Sequence, residues 1–132
     1  AIDRGESPTI LGDGSEAFDF VAVEDCAYAN VCAMKSKATD ENYNVGTGKR
    51  TSLKELAELL LKLTGSGREI QYAERSQATL VRNRIGDPKK AADELDYVAQ
   101  IDLEDGLKRL IDWRESDKEA VAARQRAVGI EA

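Results

Sequence analysis

NYNVGTGKRTSLKELAELLLKLTG, residues 42–65, runs from a short β-type stretch through two glycines and a lysine into a leucine-rich segment. Its second half reads as a helix. Ser52 and Glu55 stand at the spacing of a capping box, Leu53, Leu56, Leu60 and Leu63 recur at helical intervals, and Gly65 ends the run. A glycine turn that delivers a helix N-terminus is also a place where phosphate binds, because unpaired backbone N–H groups and the helix dipole converge there. The residues fail both phosphate signatures. In G-x-x-x-x-G-K-[ST], Gly48-Lys49 would be followed by a hydroxyl residue but meets Arg50, and Tyr43 stands where the first glycine belongs. In G-x-G-x-x-G, Gly46 and Gly48 fit but Thr51 takes the third position, and the one acidic candidate about twenty residues on, Glu69, starts a strand rather than ending one. The stretch is read as a strand, a structural turn and a well-capped helix.

Working outward, PTIL and Gly12-Asp13-Gly14 give a strand ending in a tight turn. AFDFVAV, 17–23, is read as a second strand around Asp19, followed by a helix capped at Glu24 or Asp25, with Ala27, Val31 and Met34 on one face, ending near Lys37. YNVG is a buried-type strand, EIQYA (69–73) another, and TLVRNRI (79–85) is extended. Asp87-Pro88 supplies the start of a helix bearing Ala91, Ala92 and Leu95. Asp102 caps a helix that buries Leu103, Leu107, Leu110 and Ile111 and reaches Trp113, a packing residue. From Glu115 onward the tail is charged, Ala-rich and helix-prone.

At 132 residues, 42% hydrophobic and 33% charged, the chain is of soluble globular class and can bury one core. The net charge of −6 gives no general attraction to nucleic acid or an anionic membrane, and no apolar run is long enough to cross a bilayer, so neither is an expected partner and the cytoplasm is the default location. With no histidine, a Ser-His-Asp or Cys-His nucleophile system and the usual zinc sites cannot be assembled from this chain. Cys26 and Cys32 fall in one helix, about 9 Å apart along its axis, too far for a disulfide. The chain has no initial methionine and opens in mid-pattern, which is the expectation of a fragment.

Four segments taken together, GDGSEAFDFVAVEDCAYAN, YNVGTGKRTSLKELAELL, RNRIGDPKKAADEL and IDLEDGLKRLIDWR, resemble in order and spacing the C-terminal half of the extended short-chain dehydrogenase/reductases. Within them the similarity is to the NAD-dependent nucleotide-sugar epimerases and dehydratases of the UDP-glucose 4-epimerase kind. The resemblance implies an α/β chain, the C-terminal substrate-binding portion of a Rossmann-type enzyme, with short strands and about four helices. Residues 1–114 would be the nucleotide-sugar-binding portion and 115–132 a helical tail. It further implies that a missing Rossmann half carries the NAD loop and a Tyr-x-x-x-Lys pair, that NAD accepts and returns a hydride, and that the parent is a homodimer. Tyr28, Tyr43, Tyr72 and Tyr97 are followed four residues on by Cys32, Thr47, Ser76 and Ile101, so no catalytic, cofactor-binding or metal-binding residue is expected here. Dehydration or reduction of the same substrate class is the neighbouring alternative, and a non-catalytic binding module is the alternative of another class.

By the same resemblance Thr9, Ile10 and Leu11 would flank the nucleotide base. Phe18 stands where many epimerases carry an arginine that reaches the diphosphate, and Phe20 matches the family's aromatic position. Asp25 matches a helix-starting aspartate and is expected to cap. The family's later arginine, counted back from Asp87, falls on Gln77, with Leu80 at the following aspartate. Arg82 and Arg84, alternating on an extended segment, can face one side and grip a diphosphate through forked, charge-assisted hydrogen bonds.

Overall fold

The computed structural model describes residues 1–75 and 82–127. Gln77 and Leu80, and the first three residues of the extended segment expected over 79–85, lie outside them. After a single 3₁₀ turn at Ile2–Arg4, the elements are β1 Thr9–Leu11, β2 Ala17–Phe18, α1 Val23–Lys35, β3 Thr51–Ser52, α2 Leu53–Leu63, β4 Gln71–Ala73, β5 Asn83–Arg84, α3 Lys89–Leu95, α4 Leu103–Ser116 and α5 Lys118–Ala127. The strands form two small sheets. β1 pairs parallel with β4, and β2 lies between antiparallel β3 and parallel β5.

The best-marked helix forms as its local chemistry dictates. Ser52 accepts from the Glu55 amide, and the Glu55 carboxylate accepts from the Ser52 backbone at 2.7 Å. The Ser52 amide and the Ser52 hydroxyl, both donating to Glu55 Oε2 at 2.7 Å, hold the Glu55 carboxyl below its usual range. The next N-terminal amides of α2 are satisfied by the connection between β1 and β2: Leu53 donates to the Glu16 carbonyl at 2.9 Å and Lys54 to that of Gly14 at 3.1 Å. Gly14 sits at φ +76, which favours glycine, and an added Cβ would press on Lys54 and Ile10.

α1 buries the side opposite its apolar stripe. Its buried residues are Asp25, Ala29 and Cys32, packed with Ala91 and Leu95 of α3 and with Tyr97. The stripe of Ala27, Val31 and Met34 points the other way, with Met34 84% exposed. Both faces are largely apolar. Small side chains at 29 and 91 let the two helices approach closely enough to enclose Tyr97, and this packing selects the face. The helix begins at Val23 with Ala22 as its N-cap, so neither Glu24 nor Asp25 caps it. Tyr97 is fully buried, and burial, with the Asp25 charge beside it, pushes its hydroxyl pKa up to about 12.

Three further expectations change. The second strand ends at Phe18, beyond which Asp19 still donates its amide to the Arg84 carbonyl at 3.0 Å. YNVG forms no strand among the described residues: it has no ladder partner there and is fixed instead by side chains, Tyr43 to Glu94 at 2.7 Å and Asn44 to the Asp87 carbonyl at 3.4 Å. α4 is capped by Asp102 as expected and buries Leu107, but Leu110 and Trp113 are about half exposed. Replacing Ser52 by Ala removes the reciprocal cap, and denaturant unfolding is expected to show a loss of about 1–2 kcal/mol with an unchanged m-value.

Candidate functional site

The glycine turn between Asn44 and Thr51 does bind an anion, and the anion is internal. Asp19, leaving β2, directs its carboxylate into the turn. It accepts from the Thr47 amide at 3.0 Å, from the Thr47 hydroxyl and from the Gly48 amide at 2.9 Å. Burial alone would push the Asp19 carboxyl up, but these bonds, joined by one from the Gly86 amide, outweigh it and hold the group below the usual carboxylate range. Gly46 is required by contact: a Cβ there would collide with Asp19 Oδ2. With its amides taken by Asp19 and the α2 N-terminus closed, this turn does not fit the pyrophosphate of a dinucleotide.

Asp25 acts in the same way at longer range. At 2% exposure it accepts from the Gln100 and Ile101 amides, both at 3.0 Å, fixing the segment that leads into α4. It caps a distant turn rather than its own helix. Sequence spacing alone cannot reveal this, because the acceptor and its donors are 75 residues apart.

The structure groups the residues expected to bind ligand into two places. On the three-stranded sheet Phe18 is in register with Arg84 of β5 and with Thr51 of β3, so these three share one face, while Ala17 and Ser52 beneath them are buried. Arg82, two residues before Arg84, follows the alternation onto the same face as Arg84 and is exposed. Phe20 packs against Phe18 with ring centroids 6.1 Å apart. It also lines an apolar groove of about 650 Å³ with Val23, Leu110 and Trp113. Thr9, Ile10 and Leu11 belong to the other sheet, where Ile10 is a core residue and Thr9 and Leu11 are exposed. One residue that pattern reading passed over is Arg75, two residues beyond β4, which pairs with Glu16 at 2.6 Å. Its signal in the sequence is a lone arginine after a strand. Among the described residues no three His, Cys, Asp or Glu side chains gather to hold a metal ion, and no helix is long and apolar enough to cross a membrane.

Aromatic and guanidinium side chains on short strands thus lie beside helices with an uncovered apolar stripe, in an α/β unit. The model of the GDP-mannose 4,6 dehydratase family matches residues 1–110, and the chain belongs to the extended short-chain dehydrogenase/reductase family of NAD-dependent nucleotide-sugar epimerases and dehydratases. A Methanocaldococcus jannaschii protein provisionally named UDP-glucose 4-epimerase is 37% identical over 114 residues, covering 86% of this chain and 36% of that protein. The UDP-glucose 4-epimerase of Mycolicibacterium smegmatis is 30% identical over 113 residues, with 86% and 36% covered. The crystal structure of UDP-glucose 4-epimerase with UDP-glucose from Thermotoga maritima superposes with a TM-score of 0.80 at 35% identity, covering 86% of this chain and 36% of that one. The chain thus spans about a third of the length of these relatives.

The Asp19 clamp carries a pH signature. Its folded-state pKa lies below the unfolded value of about 3.9, so its stabilisation is complete above that value and is lost as pH falls through the folded one. Asp19→Asn is expected to lower stability at neutral pH by about 2–3 kcal/mol. It should also flatten the acid limb of the stability profile below about pH 4. Denaturant titrations of both proteins from neutral to acid pH measure both effects.

Proposed function

We propose that this chain is the nucleotide-sugar-binding part of an NAD-dependent nucleotide-sugar epimerase, a UDP-hexose 4-epimerase, in which NAD and the acid/base residues are held by sequence outside these 132 residues. The observation that carries the reading is the shared face of Phe18, Arg82 and Arg84, where two guanidinium groups on an extended segment suit the paired phosphates of a sugar nucleotide. The relatives named for UDP-sugar 4-epimerases support the substrate class and the reaction. In this reading Thr9, Ile10 and Leu11 flank the base, Phe18 and Phe20 pack on the base or sugar, and Arg84, with Arg82 beside it, takes the diphosphate. The substrate-binding portion is residues 1–114, with 115–132 as a helical tail.

The outer stripe of α1, with Val23 77% and Met34 84% exposed, supports the same reading. Apolar side chains aligned on one helix face call for a covering partner. The partner of this reading is the Rossmann portion, against which α1 and the 42–45 segment would pack. Two experiments follow. In the full-length enzyme, Arg84→Ala is expected to raise KM for UDP-glucose about tenfold or more with a smaller change in kcat, since a ground-state phosphate contact is lost. An unchanged KM removes Arg84 from the site. In the chain produced alone, Met34→Glu is expected to reduce self-association measured by sedimentation, and undiminished association would show that the α1 stripe is not the sticky face.

A further inference from the structure

The ion pair between Arg75 and Glu16 differs from the surface pairs of the molecule. Its side chains are 26% and 12% exposed, whereas pairs such as Lys90–Glu41 and Lys108–Glu104 keep at least 43% on each partner. It is also long-range. Glu16 immediately precedes β2 and Arg75 lies two residues past β4, so the pair joins one sheet to the other. Ala17, next to Glu16, donates its amide to the Arg82 carbonyl at 2.8 Å, which puts Glu16 beside the strand that bears Arg82 and Arg84.

The pair is incomplete. A guanidinium and a carboxylate that meet edge to edge form two parallel hydrogen bonds. Among the described residues this one forms a single bond, Nη1 to Oε1, and Glu16 Oε2 is buried and accepts none. A buried acceptor left without a donor is costly, and a guanidinium bonded through one nitrogen has donors to spare. Glu16 therefore holds Arg75 in place without saturating it, next to a face already carrying two arginines. An anion offering several phosphate oxygens satisfies more of those donors than Glu16 does.

We propose that Glu16 is an internal competitor for Arg75: it holds the guanidinium until the diphosphate of a nucleotide sugar takes its place, which makes Arg75 a third anion-binding side chain restrained by Glu16. This rests on the nucleotide-sugar reading given above. Its distinctive consequence is that the two partners of one ion pair affect ligand binding in opposite directions, whereas two halves of a structural strut affect it in the same direction.

The test is UDP binding by calorimetry to the full-length protein and to Glu16→Gln, Arg75→Met and the double variant, with thermal melting of each. Glu16→Gln is expected to melt lower than the wild type yet bind UDP about two- to fivefold tighter, and Arg75→Met to bind at least about fivefold more weakly. In the Arg75→Met background Glu16→Gln should leave affinity unchanged, which separates competition from the general effect of removing a negative charge. If Arg75→Met fails to fold, Arg75→Lys provides the same comparison and should bind more weakly than the wild type. UDP binding by the wild type with affinity unchanged or weakened in Glu16→Gln, or tightening that persists without Arg75, overturns this inference alone. Absence of UDP binding by both the wild type and Glu16→Gln overturns the nucleotide-sugar reading and this inference with it.

Discussion

A single carboxylate, that of Asp19, closes the turn from which the rest of the structure is arranged. Two backbone amides and a hydroxyl converge on it from Thr47 and Gly48, a third amide reaches it from Gly86, and Gly46 lacks a side chain so that it can approach. Three segments far apart in sequence meet at this point: the end of β2, the turn before β3, and the loop between β5 and α3. The interaction is charged and partly shielded from water, so its loss would leave several polar groups unsatisfied together. β2 then lies between β3 and β5, and the face bearing Phe18 and Arg84 is set by that register.

Asp25 repeats the device six residues later, receiving the amides that precede α4. The stretch from Ala17 to Asp25 is thus the hub of the molecule, although it contributes only two residues to a strand. It makes β2, clamps the glycine turn, starts α1 and anchors the entry to α4. Two small sheets and short helices have little core to share, and carboxylates shielded from water and bonded to backbone amides supply positional order that apolar packing at this size does not.

What could be read in the sequence follows from how local its cause is. The helix after Ser52 was fully legible, since the capping box, the leucine spacing and the closing glycine all lie within fourteen residues. The start of α4 at Asp102 and the β1 strand were legible for the same reason. Which side of α1 is covered was not legible, because helical periodicity reveals an apolar stripe but not what covers it. The stripe at 27, 31 and 34 is real, and it is the opposite side, with Ala29 and Cys32, that α3 covers. YNVG has the composition of a strand and lacks a partner among the described residues, since pairing is a property of two segments. The roles of Asp19, Asp25 and Glu16 were hidden because each contacts a residue at least 28 positions away. Of the candidate site, the alternation of Arg82 and Arg84 was legible, while their register beside Phe18 needed the sheet.

Under the proposed function this chain receives a nucleotide sugar on the Phe18–Arg84 face while its glycine turn stays closed by Asp19. The most direct measurement is an amide-resolved NMR titration of the chain with UDP and, separately, with NAD. UDP is expected to shift the resonances of Phe18, Arg82 and Arg84 and to leave those of Thr47 and Gly48 in place, with no response to NAD. Shifts centred on Thr47 and Gly48, with either ligand, would show instead that the turn is a phosphate site and that Asp19 does not keep it closed.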